Sequence, residues 1–147
     1  MSRTVESMLA YFSQIRRVYA SELNLRFQEG DFSPCEISIL ILLSNNPSVC
    51  TGSQLGLLLG VSKGLVSRSL EALTAKGLVV CEQSDRDRRV REIRLTKEAG
   101  PLTVRLKEEI EDINREVLGD IPPEEIRQVE QTLEKILKRF REKEEQR

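Results

Sequence analysis

Residues 55–96 read LGLLLGVSKGLVSRSLEALTAKGLVVCEQSDRDRRVREIRLT, and their order decides the fold. A short apolar run, Leu55–Leu59, meets a tight turn at Gly60-Val61. Ser62 then stands where it can cap a second helix running to Lys76, with Val66, Leu70 and Leu73 on one face. Gly77 stops that helix. Leu78–Glu82 and Arg91–Leu95 read as two short strands, joined by the arginine-rich loop Ser84–Arg89. Two helices across a tight turn followed by a cationic hairpin make a winged helix-turn-helix. That shape suits duplex DNA, where one helix enters a major groove about 12 Å wide and a flanking loop meets the backbone or minor groove.

Helix starts are marked on either side of this stretch. Ser33-Pro34-Cys35-Glu36 forms a capping box with proline in the first turn, ahead of Ile37–Leu43. Asn45-Asn46-Pro47 ends that helix. Thr51 and Gln54 form a second box opening Ser53–Leu59. Upstream, Val5, Met8, Leu9, Phe12, Ile15, Tyr19 and Leu23 recur at helical spacing, predicting one long helix that ends near Gly30. Downstream, Leu102, Leu106, Ile110, Ile113 and Val117 form a stripe, broken at Gly119–Pro123. Ile126, Val129, Leu133, Ile136, Leu137 and Phe140 form the next. The expected fold class is mainly α with a small β-wing, ordered α-α-α-α-β-β-α-α, with a third short strand open at Val49-Cys50. Narrow apolar stripes flanked by charge suit helix–helix association. The expected division is a dimerisation helix at 1–30, a winged helix-turn-helix at 31–97, and dimerisation helices at 98–147. An intramolecular three-helix bundle is the alternative use of those stripes.

Composition narrows the function. The chain holds no histidine, which removes the usual general base and the commonest transition-metal ligand. Cys35, Cys50 and Cys81 have no metal-ligand spacing and are odd in number. No nucleophile–base pair, phosphate loop or metal cluster is visible, so neither an enzyme nor a cofactor is expected. No apolar run approaches the roughly 18 residues of a membrane span, and no secretory leader is evident, so a cytoplasmic protein is expected. The net charge of −1 is unevenly spread: −1 over residues 1–50, +4 over 51–97 and −4 over 98–147. Attraction to a polyanion acts within a Debye length of about 8 Å, so the local excess on the reading head outweighs the total.

The segments LGVSKGLVSRSLEALTAKGLV and SDRDRRVREIRLTKEAG, with the wing Asp87-Arg88-Arg89 and the junction Arg94-Leu95-Thr96…Gly100, resemble the MarR (multiple antibiotic resistance regulator) family. With the flanking helices, the resemblance spans nearly the whole chain. It implies a homodimeric transcription factor on a pseudo-palindromic operator of double-stranded DNA. Family members commonly repress, and are released by small aromatic ligands or by cysteine oxidation.

Physical roles follow for the matching positions. Ser62 caps the recognition helix and offers its hydroxyl or amide to a phosphate. Lys63, Gly64, Ser67 and Arg68 lie away from the apolar stripe and face the groove, Arg68 being the candidate guanine reader. Ser53 and Gln54 stand at the start of the preceding helix, within reach of phosphates. Arg86, Arg88 and Arg89 supply the wing's guanidiniums, one of them suited to a narrow minor groove. Asp87 is expected to hold an arginine in place. Cys35 is the candidate redox thiol, set near a helix N-terminus, with a small half-buried helix residue as the plainer reading. Cys50 and Cys81 are expected in the core. Gly64-Leu65, and the apolar Leu57 and Leu58, depart from the family's usual polar residues at those positions. A winged-helix protein–protein module without an operator is the alternative, against which the arginine wing argues.

Overall fold

The computed structural model describes residues 4–27, 31–49 and 51–147. The elements follow the expected order: α1 (Val5–Arg26), α2 (Pro34–Asn45), α3 (Gly52–Leu59), α4 (Lys63–Ala75), β1 (Val79–Gln83), β2 (Arg91–Leu95), α5 (Ala99–Leu118) and α6 (Pro123–Glu145). They fall into two compact units, Met1–Ile110 and Glu111–Arg147.

Short-range chemistry sets the helix starts. Both predicted capping boxes form: Ser33 Oγ accepts from Glu36 N while Glu36 Oε2 accepts from Ser33 N, and Thr51 pairs with Gln54 in the same way. A third box, Thr4 with Ser7, opens α1. Ser62 Oγ accepts from Leu65 N at the start of α4. Each such cap stabilises its helix by about 1 kcal/mol. Two glycines make the sharp reversals, Gly60 (φ 66°) between α3 and α4 and Gly77 (φ 74°) between α4 and β1. Both angles lie in the left-handed region that only glycine enters freely.

The core of the first unit surrounds α2, whose Ile37, Ile39 and Leu40 are almost wholly buried. A helix apolar on all sides belongs at the centre, and here it packs against α1, α3, α4 and β2. Leu55 of α3, Val66 and Leu73 of α4, Val79 of β1, Ile93 of β2 and Leu106 of α5 complete the interior. The strands pair antiparallel with Val79 opposite Leu95 and Gln83 opposite Arg91. Glu82 and Glu92 stand directly opposite each other, a repulsive register offset where Arg94 donates to Glu82 at 2.6 Å.

Several expectations shift. Helix α1 stops at Arg26, because the buried Phe27 leaves the helix to lie against Phe32, ring centroids 5.8 Å apart. Gly30 and Cys50 lie outside the described residues. The sheet has two strands among the described residues, and Val49, whose N–H bonds Asn46 O, closes a turn instead of joining a third. β1 begins at Val79, since the Leu78 N–H is spent on Leu73 O in closing the Gly77 turn. On α4 the buried positions are Val66, Ser69 and Leu73, with Leu70 only half-buried. Cys81 is half-buried on β1, outside the core proper.

Two glycines of the turn and helix respond oppositely to alanine. At Gly60 no atom lies within 4 Å of an added Cβ, so Gly60→Ala pays only the left-handed strain, about 1–2 kcal/mol of destabilisation. Gly64 sits in the helix with space for a methyl, and Gly64→Ala stabilises by about 0.5–1 kcal/mol. Urea unfolding of the two variants beside the native chain checks both signs.

Candidate nucleic-acid interface

Burying Val66, Ser69 and Leu73 turns the opposite side of α4 outward, and Ser62, Lys63, Gly64, Ser67 and Arg68 are all exposed there. Gly64 leaves the backbone bare at the helix start. The Arg68 guanidinium lies back over it, Nη1 falling 3.5 Å from the point a Gly64 Cβ would occupy. Ser53 and Gln54 are exposed in the first turn of α3. Gln54 Oε1 is engaged by Thr51 N in the capping box.

The wing is tied into one shape by its own polar groups. Ser84 N donates to Val90 O at 2.8 Å, Val90 N to Asp87 O at 3.0 Å, and Gln83 Nε2 to Arg88 O at 2.7 Å. Arg86 N donates to the buried Ser84 Oγ. Asp87 Oδ1 accepts the backbone N–H of Arg89 at 3.0 Å, so it holds an arginine by the main chain and leaves the guanidinium clear. At the base of the hairpin, Thr96 Oγ1 donates to Gly77 O at 2.6 Å and Thr96 N to Leu78 O, which ties β2 back to the end of α4.

Between α4 and the hairpin runs an open groove of 1220 Å³. Lys63 and Ser67 of α4 line it on one side, Arg89 and Arg91 on the other, and Glu71 supplies the carboxylate on its wall. The three wing arginines therefore separate. Arg89 faces this cationic groove, Arg88 stands exposed at the tip, and Arg86 lines a different cleft of 650 Å³ toward the end of α2, beside Asp85 and Glu92. With Arg94 on the same lining, that cleft carries two acidic and two basic side chains and lacks the positive excess of the groove that Arg89 faces.

The far end of α4 is fixed by a polar cluster. Lys76 Nζ donates to Glu36 Oε1 at 2.8 Å and to Asp31 O at 3.0 Å, and lies 4.3 Å from the centroid of the Phe32 ring. Asp31 presents that carbonyl from a left-handed conformation (φ 58°), which aspartate tolerates better than most residues. Burial raises the Glu36 carboxyl, but hydrogen bonds from Lys76 and Ser33 and the Lys76 charge outweigh it, leaving the group below its ordinary value.

The residues matched to a known family coincide with this geometry, for residues 31–90 match the MarR family. Residues 31–90, which hold the helix-turn-helix and the wing loop, are what is similar to that family. Solved structures of transcriptional regulators superpose along nearly all of the chain. A MarR family transcriptional regulator from Silicibacter pomeroyi is 27% identical with a TM-score of 0.78, covering 91% of this chain and 90% of that one. The transcriptional regulator BldR from Sulfolobus solfataricus is 23% identical, TM-score 0.76, covering 95% and 99%. A MarR transcriptional regulator from Methanosarcina mazei is 17% identical, TM-score 0.76, covering 93% and 98%. Those three solved proteins are named as regulators of transcription.

Three residues of this fold gave no local signal in the sequence. Arg91 joins Arg89 in the groove because the hairpin turns it there. Lys76 and Arg16 act over separations of 40 and 42 residues. Cys35 is half-buried at the second residue of α2. Leu57 is 84% exposed on α3, and nothing in the structure explains an apolar residue there.

The Lys76 cluster has a pH signature. Because the folded-state value of Glu36 is lowered, its contribution is fully present above the ordinary carboxylate range and is lost as pH falls through that lowered value. Glu36→Gln should cost about 1–2 kcal/mol at neutral pH. The gap from the native chain should close only in acid below the ordinary carboxylate range, once pH has passed the lowered native value and the native carboxyl is also neutral. Paired urea titrations at the two pH values check it.

Proposed function

We propose that this chain is a homodimeric, sequence-specific DNA-binding regulator, a repressor in which α4 reads the major groove and the β1–β2 wing grips the adjacent backbone. The observation that carries it is the groove between α4 and the wing, where Lys63 and Ser67 face Arg89 and Arg91. A sugar–phosphate strand passing between major and minor groove needs positive charge on both sides, and this groove supplies it from two elements held in fixed relation. Ser53 at the start of α3 and Ser62 at the start of α4 offer hydroxyls and amides beside it, and helix N-termini favour phosphate.

Dimerisation is supported by apolar side chains left exposed on α1 and on α6. On α1, Leu9, Ile15 and Val18 are 55–63% exposed, and on α6, Val129, Leu137 and Phe140 are 50–56% exposed. Apolar residues repeated along helical stripes in this way mark an association surface. In this reading residues 1–30 and 98–147 build the dimer and 31–97 read the DNA. A second copy then places two α4 helices on half-sites about one helical turn apart, which calls for a pseudo-palindromic operator. Release falls to a small aromatic ligand or to oxidation at Cys35. Among the described residues, no helix is long and apolar enough to cross a membrane.

Duplexes recovered from a random pool by the purified protein provide the test. Arg68→Ala should weaken the recovered site by about 10- to 100-fold and relax preference at one base. Arg89→Ala should lower affinity for all sequences and reduce the log–log salt slope by about one, whereas Arg86→Ala should change little. Failure to retain any duplex at about 50 mM salt would defeat the regulator reading. Sedimentation at twice the 16.8 kDa chain mass is the expected companion result.

A further inference from the structure

The sequence of α3 leaves its C-terminal end poorly provided. Its last turn is Gly56-Leu57-Leu58-Leu59, with no basic residue. The N–H groups of Gly60 and Val61 both turn back to a single acceptor, Gly56 O. The carbonyls of the final residues, which point along the negative end of the helix dipole, are left to find donors outside the helix.

Arg16 supplies them. From the middle of α1, its Nη1 donates to Leu58 O at 3.1 Å and to Leu59 O at 2.9 Å. These are the last two carbonyls before the Gly60 turn, and Ser62, the cap of α4, follows three residues after Leu59. One guanidinium therefore holds α1 to the hinge from which the recognition helix departs. The packing of α1 makes the contact consequential. Its buried residue is Leu23, near the C-terminal end, and residues 4–18 lie almost entirely at the surface. Packing fixes that end of the helix. Arg16, two turns earlier, fixes its direction against α3.

We infer that Arg16 is a positioning residue, setting the angle between α1 and the α3–α4 turn and thereby the spacing at which two reading heads meet DNA. The inference rests on the regulator reading above. In that dimer the exposed apolar residues of α1, Leu9 and Ile15 among them, are held against the partner, so an angle fixed at Arg16 becomes a distance between two α4 helices. Arg16 makes no phosphate contact in this scheme. Its effect is on geometry: both bonds come from the one nitrogen Nη1, whose two N–H groups are fixed in the guanidinium plane, whereas a lysine ammonium rotates freely on its stem.

The test compares the full-length chain with Arg16→Gln and Arg16→Lys, each first shown to keep the native helical signal and dimer mass. Amide exchange at Gly60 and Val61 should rise about tenfold in Arg16→Gln, with Arg16→Lys between that variant and the native chain. On a duplex recovered by the native protein, preference over the same duplex with one base pair inserted between half-sites should fall about tenfold. The salt slope should not move. Unchanged exchange at Gly60 and Val61 overturns the hinge contact, whatever DNA does. Faster exchange with spacing preference intact, or a rise spread evenly over the whole chain, overturns the positioning role and leaves Arg16 structural. A native chain that recovers no duplex defeats the regulator reading instead, and is distinguishable because the exchange measurement needs no DNA.

Discussion

A helix that reads a groove must show one face and bury the other, without rotation or slip, and α4 is held to that condition from three directions. Val66, Ser69 and Leu73 sink into the core formed with α2 and α3. Burying two aliphatic side chains is worth about 3–6 kcal/mol, far more than the helix propensity lost at Gly64. At the start, Gly60 permits the sharp turn and Ser62 caps the first free amides. At the end, Lys76 is held at once by a carboxylate, a carbonyl and an aromatic face. The polar side has no freedom to turn inward, so Lys63, Ser67 and Arg68 stay at the surface by consequence of what is buried beneath them.

The wing obeys the same logic in a smaller space. Its loop has hardly any apolar area to bury, so hydrogen bonds among Gln83, Ser84, Asp87, Arg88 and Val90 fix its shape. Those bonds use main-chain groups and short polar side chains, leaving the long guanidiniums of Arg88 and Arg89 free to extend. The resulting cationic groove lies in the segment that carries the chain's positive excess, while the flanking segments are acidic. A near-neutral protein thus presents a locally positive face, and its acidic remainder discourages polyanions from binding elsewhere.

What the sequence revealed and what it withheld divide by distance along the chain. Capping boxes at Ser33 and Thr51 and the Gly60 and Gly77 reversals rest on partners within a few residues, the wing strands on partners 8 to 16 positions apart across one short loop, and all were legible. The choice between Ser69 and Leu70 was not, because both fit a helical stripe from Val66 to Leu73 and only the closeness of neighbouring elements selects the smaller side chain. Which face of the hairpin each arginine occupies depended on how the loop closes, which separated Arg86 from Arg89 and recruited Arg91. The long-range clasps of Lys76 on Glu36 and of Arg16 on the end of α3 had no local signature. Each joins chemically ordinary residues about 40 positions apart, and only the packing of α1 and α2 brings them together.

The central claim is that one polar face of α4 and the α4-facing side of the wing together receive a nucleic-acid duplex. Backbone amide NMR of the isotope-labelled protein, titrated with a short mixed-sequence duplex in low salt, tests it most directly. The account predicts shifts concentrated at residues 62–68 and 86–91, with α6 and the buried face of α2 silent. Shifts confined to α5 and α6, or none at a saturating excess of duplex, would contradict it.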